Sequence, residues 1–229
     1  MANHQRDSLP FRYERKFYTY PDNLEPIYHY ILTNPLCFSE IYEKRIVNSI
    51  YLDTPYYDSY YESVSGSRDR EKYRIRWYDS QTIVTPKLEI KSKKGDVGTK
   101  QIFALSKLDL DNTITRKYLS TIFEKSNLNN YVLIQTLNTL DPTLYCSYLR
   151  RYFLSSNLKC RITVDHNIQY SQVSSFNPLR LTPTIPDQSV VVELKYSNIY
   201  DTSNILNHSF FPFQLILFIW GLAVVFNSE

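Results

Sequence analysis

A chain of 229 residues that is 43% hydrophobic can bury a sizeable core and fits one domain. Its 26 Lys and Arg exceed its 23 Asp and Glu by so little that wholesale wrapping of nucleic acid is excluded, and any basic site must be local. Three cysteines without CxxC spacing, Cys37, Cys146 and Cys160, argue against a disulfide framework or a cysteine zinc site, and with no charged n-region before an apolar stretch they fit a reducing, cytoplasmic compartment.

In chain order, alternation of period two predicts a first strand over 12–19, with Glu14 and Lys16 on one face. A short helix over 23–34 follows, with Leu24, Ile27, Tyr28 and Ile31 on one side and Asp22 or Asn23 as its cap. Strands are predicted next over 45–53, 70–78, 85–93 and 98–105, the last two joined by a turn at Gly95-Asp96. Leucine and isoleucine spacing over 106–140 is helical, and strands return over 144–153 and 159–168. Pro178, Pro183 and Pro186 mark 171–188 as a loop before the eighth strand, 189–196. The uncharged run FFPFQLILFIWGLAVVF, 210–226, is expected to close the fold as a buried helix or strand. Contact with a membrane is the alternative, although 17 residues is the lower limit for a span and Pro212 and Gln214 weaken it.

The polar faces of these strands share a sign. In 70–78, Lys72, Arg74 and Arg76 oppose Tyr73, Ile75 and Trp77. In 85–93, Lys87, Glu89, Lys91 and Lys93 oppose Leu88 and Ile90. Adding Lys16, Lys100, Arg150, Arg161 and Lys195 gives eleven of the 26 cations, against four of the 23 acids, Glu14, Glu89, Asp165 and Glu193. A solvated surface mixes its signs, so this concentration points to faces that converge on a polyanion. An eight-stranded antiparallel sheet closed into a barrel, with 106–140 and the C-terminus as covers, gives that convergence. This is an α+β class that is mainly β. Arginines would supply forked donors and lysines movable charges for phosphate oxygens, with a few carboxylates left for a divalent cation.

The series Arg12-Tyr-Glu14-Arg-Lys16-Phe, Ser49-Ile-Tyr51-Leu-Asp53-Thr, Lys72-Tyr-Arg74-Ile-Arg76-Trp-Tyr, Leu88-Glu89-Ile-Lys91-Ser-Lys93, Lys100, Tyr148-Leu-Arg150, Arg161-Ile-Thr-Val-Asp165 and Val192-Glu193-Leu-Lys195 resembles the VTC domain. That domain is the polyphosphate polymerase branch of the triphosphate tunnel metalloenzyme (CYTH) superfamily. The resemblance implies a triphosphate tunnel fold of eight antiparallel strands over residues 1–229. It also implies transfer of the terminal phosphoryl group of ATP onto a growing polyphosphate chain, with Mn2+ or Mg2+. Carried over by position, Lys16, Arg74, Arg76, Lys91, Arg150 and Arg161 are the catalytic cations and Glu193 is the metal ligand. Lys72, Lys93, Lys100, Lys195, Glu14 and Glu89 bind substrate or line the same faces.

Two departures qualify that pattern. Arg12 stands where hydrolytic members usually have a glutamate, which favours the polymerase branch, since fewer carboxylates remain for a second metal. No Lys or Arg follows Lys195, and anchoring on Gly221 puts Leu217 where the family's last phosphate-binding lysine is expected. The alternatives are therefore a triphosphatase of the same fold, or a module that binds polyphosphate or a related polyanion without turnover. The expected partners are ATP and inorganic polyphosphate, with no nucleic acid. A peripheral membrane contact is the alternative for the C-terminus.

Overall fold

The computed structural model describes residues 12–79, 82–95 and 97–197. Its elements run β1 (Arg12–Thr19), α1 (Leu24–Leu32), β2 (Ser39–Asp53), α2 (Asp58–Val64), β3 (Arg70–Tyr78), β4 (Ile83–Val84), β5 (Lys87–Lys94), β6 (Val97–Ala104) and β7 (Leu108–Asp109). They continue with α3 (Arg116–Lys125), α4 (Tyr131–Leu137), β8 (Asp141–Leu154), β9 (Cys160–Gln172), β10 (Ile185–Asp187) and β11 (Val190–Ser197). The strand order of the main sheet is β1-β11-β9-β8-β2-β3-β5-β6, with β10 beside β9, while β4 and β7 pair separately. The class is mainly β with antiparallel pairing, as the alternation predicts.

Two compact units divide the described residues. The first holds 12–45, 149–168 and 188–197, and the second holds 46–148 and 169–187. In the first, α1 buries Ile27, Tyr28 and Ile31 against Phe153, Cys160, Ile162, Val164, Val192 and Leu194. These come from one helix stripe, from Phe153 of β8 and from alternate positions of β9 and β11, so a single apolar layer serves both periodicities. In the second, Tyr73, Ile75 and Trp77 of β3 and Leu88 and Ile90 of β5 pack with Leu119, Ile122 and Phe123 of α3 and with Leu133 and Leu137 of α4. The opposite faces of β3 and β5 are thereby committed to the charged residues. Fully buried side chains such as Ile75 and Leu88 would each cost about 2–5 kcal/mol on truncation to Ala.

Several boundaries differ from the sequence expectation. Strand β2 begins at Ser39, not 45, because its first half, Ser-Glu-Ile-Tyr-Glu-Lys-Arg, is largely exposed and shows little apolar alternation. The stretch 106–140 is interrupted: it holds β7 and two short helices, capped by Thr115 accepting from the Tyr118 N–H and Asn130 accepting from the Leu133 N–H. The stretch 171–188 is not all loop, since it includes β10. Helix α2 was not anticipated. Its first-turn amides are held from the end of β2, where the buried Asp53 carboxylate accepts from the N–H groups of Thr54, Ser59 and Tyr60.

The β5–β6 turn is made at Gly95, whose φ of 59° suits glycine, as expected from Gly95-Asp96. Segment 210–226, with Leu217 and Gly221, lies outside the described residues. Among those described, no helix is long and apolar enough to cross a membrane.

Candidate phosphate and metal site

In the second unit, register sets the charged face row by row. Tyr51, Arg74, Glu89 and Ile102 lie opposite one another across β2, β3, β5 and β6. Ser49, Arg76 and Lys87 form the next row, and Lys72, Lys91 and Lys100 the row on the other side. Arg70 stands opposite Lys93. Like charges directly opposite one another destabilise a bare sheet, so such a row needs an anion.

One carboxylate supplies part of that need. Glu89, only 5% exposed, accepts from Arg74 Nε at 2.7 Å and from Lys100 Nζ at 3.0 Å, with an Arg76 nitrogen at 3.7 Å. Burial pushes its carboxyl up, but Arg74, Arg76 and Lys100 outweigh it and hold the pKa down at about 2. Burial likewise works against the charge on Lys100, whose pKa is lowered despite Glu89. Arg76 is fixed from the other side by Ser49 Oγ and by Tyr148 Oη, each accepting at 3.1 Å. Three cations around one acid leave net positive charge on a face whose guanidinium groups are already oriented.

The first unit carries the other predicted residues in a different pattern. Glu14, Lys195 and Arg161 form one row across β1, β11 and β9, and Lys16, Glu193 and Thr163 form another. Lys16 lies 3.2 Å from Glu14 and 3.7 Å from Glu193, while Lys195 lies 3.5 Å from Glu14 and also pairs with Glu193. Glu193 is buried. Burial raises its carboxyl pKa, and Lys195, Lys16 and Arg150 together pull it well below the usual range. Arg150 grips buried Asp165 through Nε at 2.5 Å and a terminal nitrogen at 2.6 Å. This bidentate pair fixes the plane of the guanidinium.

The structure thus brings Arg74, Arg76, Glu89 and Lys100 into one cluster, in register with Lys72, Lys91 and Lys93, and brings Glu14, Lys16, Arg150, Arg161, Glu193 and Lys195 into another. Sequence reasoning missed Ser49, Tyr51, Arg70 and Tyr148 as members of these faces. The signal was present for Arg70, which has the parity of Lys72 and Arg74, and for Ser49 and Tyr51, which share a parity on β2.

Among the described residues no three metal-ligating side chains cluster. Mg2+ and Mn2+ sites of this kind take one or two carboxylates together with substrate phosphates, and Glu193 with Glu14 supplies hard oxygen donors of that number. The residues present therefore fit such an ion.

The solved structure of an adenylyl cyclase candidate from Hippeastrum, HpAC1, described as having a dominant triphosphatase activity, is similar over 96% of this chain and 97% of its own, with a TM-score of 0.53 at 13% identity. A candidate adenylate cyclase from Vibrio parahaemolyticus is similar over 87% of this chain and 82% of its own, with a TM-score of 0.44 at 12% identity. No curated protein matches. The likeness to the Hippeastrum structure shows a shared fold, here a mainly antiparallel β architecture. The VTC domain model matches residues 11–216, and the chain belongs to the VTC domain family.

Proposed function

We propose that this chain is a metal-dependent phosphotransferase that moves the terminal phosphoryl group of ATP onto inorganic polyphosphate. The observation that carries this reading is the file of cations on β3. Arg70, Lys72, Arg74 and Arg76 share a parity, and at about 3.4 Å per residue they extend for about 20 Å. Lys91 and Lys93 run beside them on β5. A file of that length exceeds what one triphosphate needs and suits a polymer of phosphates.

Phosphoryl transfer asks the protein for in-line positioning and for charge opposite the oxygens that gain it. Arg74 and Arg76, held by Glu89, Ser49 and Tyr148, give fixed guanidinium charge, and their remaining N–H groups would donate to an arriving anion. Lys72, Lys91, Lys93 and Lys100 add point charges along the polymer. In the first unit, Lys16, Lys195, Arg150 and Arg161 bind the phosphates of the nucleotide, and Arg150 keeps its plane through Asp165. Glu193, with Glu14, would hold Mg2+ or Mn2+, which when bound neutralises charge on the phosphates. Lys16 and Lys195 would then be released from the carboxylates to the phosphate oxygens.

A triphosphatase is the second reading, favoured by the activity described for HpAC1. It differs only in taking water as the acceptor. Incubation of the purified protein with ATP and Mn2+ separates the two. Long acid-labile polymer and ADP are expected, whereas ADP with free phosphate alone would favour the triphosphatase. Binding of polyphosphate with no ADP released would overturn both.

A further inference from the structure

One constellation in the first unit is used by neither charge cluster. The Arg45 guanidinium lies over two rings, 4.8 Å from the centroid of Tyr42 and 5.1 Å from that of Tyr152. The two rings meet edge to face at 5.5 Å. Arg150, the residue that grips Asp165, reaches the same Tyr152 ring at 5.9 Å. Neither tyrosine belongs to a hydrophobic core, and Tyr42 is 54% exposed. The guanidinium holds both rings in place while Tyr42 stays exposed, so the group is ordered without being buried.

We propose that Tyr42, Arg45 and Tyr152 form a stacking platform for the base of a nucleoside triphosphate whose phosphates are bound by Arg150 and its neighbours. This deepens the functional reading above and rests on the triphosphate site assigned there. Arg150 is the link. It touches the platform at Tyr152, and its charge helps hold Glu193 ionised, so one side chain belongs to both places. Stacking on rings and a guanidinium accepts any base, because every base has a π-face. The platform would therefore distinguish a nucleotide from inorganic tripolyphosphate rather than adenine from guanine.

Calorimetric titration of the intact chain with ATP and, separately, with tripolyphosphate tests this without requiring turnover. The Tyr42→Ala variant is expected to bind ATP about tenfold more weakly than the unaltered protein, and tripolyphosphate within about twofold of it. Tyr42→Phe retains the ring and should restore ATP affinity. Melting temperatures should agree across the three proteins, since the ring is exposed. An equal loss for both ligands, or unchanged ATP affinity in Tyr42→Ala, would overturn the platform. If the unaltered protein binds neither ligand, the triphosphate reading fails and takes the platform with it. If it binds both but releases no ADP, only the catalytic reading fails, and the ratio of the two affinities still decides the platform.

Discussion

On the β3–β5–β6 face a single acid, Glu89, serves Arg74, Arg76 and Lys100, whereas on the β1–β11–β9 face acids and bases alternate, with Glu14 and Glu193 each paired to Lys16 and Lys195. The same residue types are thus used in two ways. In the first pattern the carboxylate acts as an internal template: it is too outnumbered to neutralise the face, but it aligns the guanidinium groups before any phosphate arrives. In the second, each carboxylate is shared between two lysines, and under the proposed function it would exchange them for a divalent ion as phosphates take the lysines. Under the function proposed above, a polyanion track and a metal-assisted nucleotide site would need those two different ratios of charge.

The sharpest way to break this contrast is to neutralise one acid from each pattern. Glu193→Gln removes a ligand charge while keeping the shape, so metal-dependent ATP turnover is expected to fall by about 10²–10³-fold with tripolyphosphate affinity largely kept. Comparing turnover with binding in that variant checks it, and near-normal turnover would remove Glu193 from the metal site. Glu89→Ala should instead cost about 3 kcal/mol of folding stability in urea, because three cations lose the partner that offsets their repulsion. A smaller loss when tripolyphosphate is present would show phosphate taking over that role.

Arg74→Ala and Arg76→Ala each remove a preoriented donor, and a drop of about tenfold in tripolyphosphate affinity is expected from either. Unchanged affinity by titration would mean that this face does not meet phosphate. Acid dependence sharpens the comparison further. The folded pKa of Glu89 is depressed to about 2, against about 4.3 for an unfolded glutamate, so its contribution is complete above the unfolded value and is lost as pH falls through the folded one. Urea midpoints should therefore hold steady above about pH 5 and decline below it, and Glu89→Gln should flatten that decline. The smallest effect is expected away from both clusters. Arg116 and Asp141 form a bidentate pair on half-exposed side chains, and Arg116→Ala should cost under about 1 kcal/mol.

Much of this was legible because a strand alternates its faces. Lys72, Arg74 and Arg76 fall opposite Tyr73, Ile75 and Trp77 from spacing alone, and the structure buries the second set as core. The turn at Gly95 was readable from a residue type that tolerates positive φ. Other parts depended on distant partners. Lys100 reaches Glu89 diagonally across the β5–β6 hairpin, since its direct neighbour in register is Lys91. Helix α2 carries too short a pattern to announce itself and is held by a carboxylate that reads as the end of a strand. Arg45 and Tyr152 lie far apart in sequence, so nothing local marks them as a pair.

The sequence by itself determined which side chains share a face, the excess of cations on those faces and the family to which the chain belongs, because side-chain direction along a strand follows from covalent geometry. Tertiary structure alone decided which charges meet. Whether Glu89 serves three cations, or Arg150 closes on Asp165 and still touches Tyr152, depends on strand order and register, and these are set by which strands pair and by the turns that join them.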